Sequence, residues 1–312
     1  MTRFRPLAFL ALLLFASAAQ AEGLGVSLAG GGKTPDGLRK GLEQAAQDSK
    51  TLIDVEDAAG DADQQLAQLQ GFIVAGVDAL IVQPVRPSDT AALTQLANTA
   101  SLPLVFVNRE PTDAEQLRGR VVYVGANEAE AATLQAQELC RREAEAGKNP
   151  ANILVMSGDL SDRTAAIRSR TLKDVIGRKD CNQLKILDEQ SAVGDQAKAQ
   201  DLMSNWLVAG FAPDAVVAQN DAMALGIIAA LKAQGLSPTS VIVTGVDATP
   251  EALTAVKAGD LAATVFQDAY TQGTEAVRSA LNLVRGEPLP PKTYTGTRLI
   301  TAVNADFVVA PN

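Results

Sequence analysis

Histidine occurs nowhere in the 312 residues. Its absence removes the commonest general base and the commonest metal ligand, and with them every Ser–His or Cys–His nucleophile pair. Cysteine occurs only as Cys140 and Cys181, so a zinc site would need an unusual ligand set. Aromatic side chains are scarce: one Trp, three Tyr and eight Phe. There is no basic block to set against the net charge of −9, which argues against a nucleic-acid partner. Beyond the N-terminal region, no apolar run approaches the roughly 20 residues that a bilayer-spanning helix needs.

The N-terminus carries an export signature. Arg3 and Arg5 precede the apolar stretch Leu7–Ala19, and Ala19-Gln-Ala21 forms an A-x-A cleavage site before Glu22. Residues 1–21 therefore read as a signal peptide, and the expected location is the periplasm. The apolar run is short for a membrane anchor, and no cysteine follows the cleavage site to take a lipid. Loss of the two leader arginines from the 27 basic residues leaves 25 against 36 acidic ones, a net charge of −11. In an oxidising compartment Cys140 and Cys181 are expected to form a disulfide, closing a loop worth about 4 kcal/mol in the chain-entropy picture. Two buried thiols are the alternative.

The remainder alternates short Val/Ile/Leu-rich segments with amphipathic ones. Strands are expected at 24–28, 51–55, 79–82, 104–107 and 121–124, then at 153–156, 185–188, 215–218, 241–244, 261–266 and 298–303. Helices are expected at 36–48, 61–75, 88–99 (capped by Ser88), 128–146, 163–176, 195–209, 222–233 and 269–284. Strands without polar alternation fit parallel sheets buried on both faces, and repeated β-α units fit an open doubly wound architecture. The series is too long for one sheet, which predicts an α/β protein of two lobes. Such sheets bind ligands beyond the carboxyl ends of their strands. The segments there, 30–35, 108–111, 158–168, 219–221, 247–250 and 267–268, are rich in Asn, Arg, Asp and Gln.

Three of these segments carry a resemblance. Phe106-Val-Asn-Arg-Glu-Pro111, Gln219-Asn-Asp-Ala-Met-Ala-Leu-Gly226 and Gly245-Val-Asp-Ala-Thr-Pro-Glu-Ala252 resemble the periplasmic sugar-binding proteins of ABC importers, in particular the galactose-, inositol- and rhizopine-binding branch. Asp201-Leu-Met-Ser-Asn-Trp-Leu207, Lys257-Ala-Gly-Asp-Leu-Ala262 and Val265-Phe-Gln-Asp268 agree with it. The resemblance implies two lobes joined by a three-crossing hinge, with the ligand in the inter-lobe cleft. The crossings would fall near 125–127, 267–268 and 293–297. It divides the chain into 22–125 plus 268–293 and 126–267 plus 294–312. It implies an inner-membrane ABC permease as partner, a monomer, no cofactor and no catalysis.

By the same resemblance the ligand would be held by Asn108, Arg168, Asn220, Asp247 and Gln267, with Arg109 contacting either the ligand or the opposite lobe. The chemistry is consistent: a carboxylate accepts from two vicinal hydroxyls, Arg donates to two, and an amide does both. Simpler roles compete. Asn220 and Asp221, or Asp247, would cap helices; Glu110 would pair with Arg109; Arg163 and Arg170 would be ion-paired or solvated; Trp206 would be core.

The sequence departs from the family at both places where an aromatic side chain normally stacks on a sugar ring. The loop after the first strand reads Ala29-Gly-Gly-Gly-Lys-Thr-Pro35, and the other position falls at Val193–Gly194. Lys33 in a glycine-rich turn is a candidate anion contact. It is not a Walker A loop, since Ser27 stands where that motif needs Gly. A sugar acid or another anionic metabolite is thus the alternative ligand, and a membrane sensor the alternative partner. A transcription repressor on the same lobes would need a DNA-binding head where the signal peptide stands. An exported enzyme would need an acid–base pair among carboxylates that here lie isolated between amides and arginines.

Overall fold

The computed structural model describes residues 22–31 and 35–307; the expected signal peptide and Lys33 lie outside the described residues. The first lobe is built from β1 (Gly23–Leu28), α1 (Asp36–Ser49), β2 (Leu52–Asp57), α2 (Ala62–Ala75), β3 (Ala79–Val82), α3 (Thr90–Thr99), β4 (Leu104–Val107) and β5 (Val121–Ala126). The second takes α4 (Glu128–Glu145), β6 (Ala151–Ser157), α5 (Arg163–Ile176), β7 (Leu184–Ser191), α6 (Gln196–Val208), β8 (Ala215–Ala218), α7 (Asp221–Ala233), β9 (Ile242–Thr244), α8 (Pro250–Ala258) and β10 (Thr264–Gln267). The chain then returns with α9 (Ala269–Val284) and β11 (Lys292–Thr295) to the first lobe and ends on β12 (Thr297–Ile300) in the second.

The first sheet is parallel throughout, in the order β11-β5-β4-β3-β1-β2. Its strands bury alternate residues on opposite faces. Val26, Ile81, Val105 and Val122 meet Leu38 and Leu42 of α1 and Ala276, Val277 and Ala280 of α9. Leu80, Val82, Leu104, Phe106 and Tyr123 meet Leu69 and Phe72 of α2 and Leu93 and Ala97 of α3. Each fully buried Leu, Ile or Phe contributes about 1.5–3 kcal/mol. Helices α1 and α9 touch backbone to backbone, since a Cβ on Gly273 would lie 2.4 Å from the Leu38 carbonyl oxygen.

The second sheet runs β7-β6-β8-β9, also parallel. Bridges from Thr244 to Ala263 and from Asp247 to Phe266 attach β10, which pairs antiparallel with β12. Trp206 is buried in the core on one face and donates its indole N–H to Asp188 Oδ2 at 2.7 Å. On the other face a Cys140–Cys181 disulfide joins α4 to the segment before β7.

The chain passes between the sheets three times, and each passage has a local cause. Asn127 caps α4 by accepting from the Glu130 N–H. Asp268 caps α9 by accepting from the Thr271 N–H and hydroxyl. Gly296 separates β11 from β12. Extended strand thus turns into helix, or into a second strand, within one or two residues.

Two local expectations need correction. Ser88 does not cap α3: a short 3-10 turn, Pro87–Asp89, precedes the helix, and the Ser88 hydroxyl donates to Asp89 Oδ1. Strand β11 was not expected, because its Lys-Thr-Tyr-Thr sequence is polar and it stands at a sheet edge.

Candidate functional site

Residues that follow strands of the two sheets meet between the lobes, as Arg109 after β4 meets Asp162 after β6. On the first lobe, Asn108 follows β4 with a left-handed backbone, φ +66°. Asn is among the few residues that tolerate this region. Its N–H donates to the Val124 carbonyl and its own carbonyl accepts from the Tyr123 hydroxyl at 3.0 Å. Its side chain lies between two amides: Oδ1 accepts from Gln83 Nε2 and Nδ2 donates to Gln272 Oε1, both at 2.9 Å.

Arg109 turns the other way. It donates to the carbonyls of Pro84 and Val85 and, through Nη2, to Asp162 Oδ2 at 2.8 Å. Asp162 belongs to the second lobe, where it caps α5 through the Thr164 N–H. A second set of ion pairs crosses beside it. Arg163 lies 2.7 Å from Glu115 and 3.3 Å from Glu110, and both carboxylates also reach Lys292. Glu110 therefore pairs with Arg163 and Lys292 rather than with Arg109, its expected partner.

On the second lobe a buried guanidinium organises the site. Arg168 and Glu128 are 7% and 5% exposed and meet at 2.7 Å. Arg168 also donates to the Gln219 carbonyl and, at 3.4 Å, to Gln267 Oε1; Gln267 Nε2 closes the ring on Glu128 at 3.2 Å. Burial works against the charge on Arg168, and the carboxylates of Glu128 and Asp247 outweigh it. Glu128 was missing from the sequence-based set. A Glu in the first turn of a helix ordinarily serves the helix dipole, so nothing local announced its partner.

Asp247 has φ +121° and keeps open surface, although protein surrounds it. That surrounding mass pushes its carboxyl above the usual range; Arg168 opposes the rise and Glu128 adds to it. It does not cap α8, because Thr249 does so through the Ala252 N–H. Behind it lies Asp221, fully buried, accepting from the Thr264 hydroxyl at 2.6 Å and the Thr249 N–H at 2.8 Å. Burial, reinforced by the charge of Asp247, raises the Asp221 carboxyl as well. Only glycine at 245 allows this approach, since a Cβ there would stand 2.3 Å from Asp221 Oδ1.

Asn220 is the N-cap of α7: Oδ1 accepts from the Met223 N–H, and Nδ2 donates to the Gly194 carbonyl at 3.2 Å. The structure thus gathers Arg168, Asp247 and Gln267 into one cluster around Glu128, places Asn220 beside the 193–194 turn, and sets Asn108 and Arg109 on the opposite lobe. Val193, at one of the positions lacking an aromatic, is exposed with φ +49°.

The periplasmic binding protein domain family matches residues 28–288. A protein of Rhizobium meliloti, provisionally described as rhizopine-binding, is 42% identical over 303 residues, covering 95% of this chain and 96% of its own. A xylitol-binding protein of Mycolicibacterium smegmatis is 29% identical over 277 residues, covering 87% and 74%. Among solved structures, an ABC transporter solute-binding protein of Bacillus halodurans with bound myo-inositol superposes with a TM-score of 0.82 at 32% identity, covering 93% of this chain and 98% of that one.

Proposed function

This chain belongs to the periplasmic binding protein family, and from that premise we propose that it captures a small polyhydroxylated ligand, a sugar or cyclitol, by closing its lobes, and delivers it to an ABC permease. It acts in the periplasm, as a monomer, and without catalysis. The lobes divide as 22–125 plus 268–293 and 126–267 plus 294–312.

The carrying observation is that two residues of the family pattern, Asn108 on one lobe and Asp247 on the other, hold positive-φ backbones at strand ends. Strained positions of this kind persist where the surroundings over-determine them, and they concentrate at ligand clamps. Asp247 offers two acceptor oxygens to adjacent hydroxyls and Asn108 offers a donor and an acceptor, with Asn220 and Gln267 adding amides. Relatives described by rhizopine, xylitol and myo-inositol point to the same ligand chemistry. Hinge closure over such a ligand follows the general pattern of binding proteins.

An anionic ligand draws less support. Among the described residues, Arg109 is engaged by Asp162 and Arg168 by Glu128, so a ligand carboxylate would have to displace an internal one.

The test is a thermal-shift titration of refolded, ligand-stripped protein with myo-inositol, xylitol, D-ribose and D-gluconate. A polyol at 100 times its Kd adds about 2.7 kcal/mol to stability. The expected result is a shift with at least one polyol, lost in Asp247→Ala while the fold persists. A shift with gluconate alone, or one retained in Asp247→Ala, would refute the reading.

A further inference from the structure

The first lobe contains a line of side-chain amides whose direction is set from one end. The Ala29 backbone N–H can only donate, so the Gln83 atom facing it, 3.1 Å away, must be Oε1. Gln83 then turns Nε2 toward Asn108, and the Asn108 atom it meets must be Oδ1. Asn108 must in turn present Nδ2 to Gln272, whose facing atom is Oε1. Gln272 Nε2, at the far end, has no hydrogen-bond partner among the described residues, although both Gln83 and Gln272 are fully buried. A buried donor left unmade costs about 1–3 kcal/mol. If local stability alone decided the arrangement, turning the last two amides over would give that donor a partner. The line keeps its polarity because its first member is fixed by the main chain.

We infer that Gln83 and Gln272 are positioning residues that decide which edge of Asn108 donates and which accepts in the ligand cleft, and so decide where a ligand must carry a hydroxyl proton and where a lone pair. The inference rests on the reading of Asn108 as a ligand contact. Held between the two glutamines, Asn108 retains one Nδ2–H and one Oδ1 lone pair. Their places are not interchangeable. A ligand that needs them reversed would face donor against donor and acceptor against acceptor.

Two isosteric substitutions separate direction from bulk. In Gln83→Glu one carboxylate oxygen still accepts from Ala29, but the other cannot donate. Asn108 must then turn its Nδ2 to residue 83 and its Oδ1 to Gln272, whose idle Nε2 gains a partner. In Gln272→Glu the carboxylate accepts from Asn108 Nδ2 and the original direction stands. Both place a carboxylate in a fully buried site, but only Gln83→Glu removes a donor in use; a merely structural role therefore predicts unequal losses of stability with the Asn108 amide left in its original direction, so the amide contacts are the readout that separates the two roles.

The experiment measures Kd for myo-inositol and xylitol by calorimetry on the full chain and both variants, together with nuclear Overhauser contacts of the Asn108 side-chain amide protons in the unliganded protein. The expected result is a loss of roughly ten- to hundredfold in affinity for Gln83→Glu, and a loss at least about fivefold smaller for Gln272→Glu. In the unliganded wild type the Asn108 amide protons should contact the Gln272 side chain, and in Gln83→Glu they should move to residue 83. Equal losses in the two variants would overturn the proposal. So would wild-type amide protons that face Gln83, a result that needs neither a bound ligand nor a folded variant. If neither polyol binds the wild type, the functional reading fails, and the amide contacts still decide the direction of the line.

Discussion

The two lobes meet the cleft with different chemistry. Around Asn108 the first lobe presents amides, with Gln83 and Gln272 beside it and Gln65 and Gln68 behind on Ser27, while its charged groups Arg109, Glu110, Glu115 and Lys292 lie in the ion pairs that meet Asp162 and Arg163. The second presents charges: Arg168 between Glu128 and Asp247, with Asp221 behind. Neutral amides fix geometry without depending on pH, whereas a buried charge cluster is held only while its members balance. The first lobe is therefore a preset template, and the second is the side whose energy changes with conditions.

The sharpest way to break this contrast is to unbalance the cluster. Glu128→Ala leaves the Arg168 guanidinium buried without its carboxylate and should cost about 3–5 kcal/mol in urea unfolding. Gln65→Leu in the amide lobe should cost only about 1–3 kcal/mol, the range for stranding neutral partners such as the Val85 N–H. Equal costs would erase the distinction.

The second prediction concerns pH. Burial raises the Asp221 carboxyl in the folded protein, so the native state holds its proton more tightly than the unfolded chain. Stability should therefore fall as pH rises from the ordinary carboxylate value through the raised one, by at most about 1.4 kcal/mol per pH unit. Unfolding curves of Asp221→Asn should lose the upper part of that slope and keep the smaller part contributed by Asp247, whose carboxyl is also raised. The Gln65→Leu variant should keep the whole slope, because neither side chain at position 65 titrates.

The smallest effect tests where the lobes touch. Asp162→Asn keeps the α5 cap, since an amide oxygen still accepts from Thr164, but removes the charge facing Arg109. With both partners about one-fifth exposed, the pair is worth up to about 1 kcal/mol. The open form should gain up to about fivefold in population, read as inter-lobe distance by fluorescence transfer. An unchanged distance distribution would show that this contact does not favour closure.

Much of the fold was legible in the sequence because parallel strands buried on both faces read as unbroken apolar runs, as at Leu80-Ile-Val82 and Val105-Phe-Val107. What escaped was polar or edge structure: β11, paired on one side only, and the 3-10 turn that displaced Ser88. For the candidate site, Asn108, Arg168 and Asp247 could be named from the sequence because they sit beside recognisable neighbours in loop motifs. Their supports could not. Gln83, Glu128 and Gln272 act across separations of 25, 40 and 164 residues, and no local pattern encodes such pairings.

The three passages of the chain have a consequence for how the molecule comes into being. The first sheet lacks an edge strand, and its α1 face a covering helix, until residues 269–295 arrive. Leu38, Leu42 and Val105 complete their packing only when Ala276, Val277 and Ala280 of that late segment join their cluster. A growing or threading chain thus stays short of its native state until nearly its whole length is free, and the two lobes form one cooperative unit in time although they are two bodies in space. In a chain exported as proposed above, such late contacts would delay final folding until the far side of the membrane.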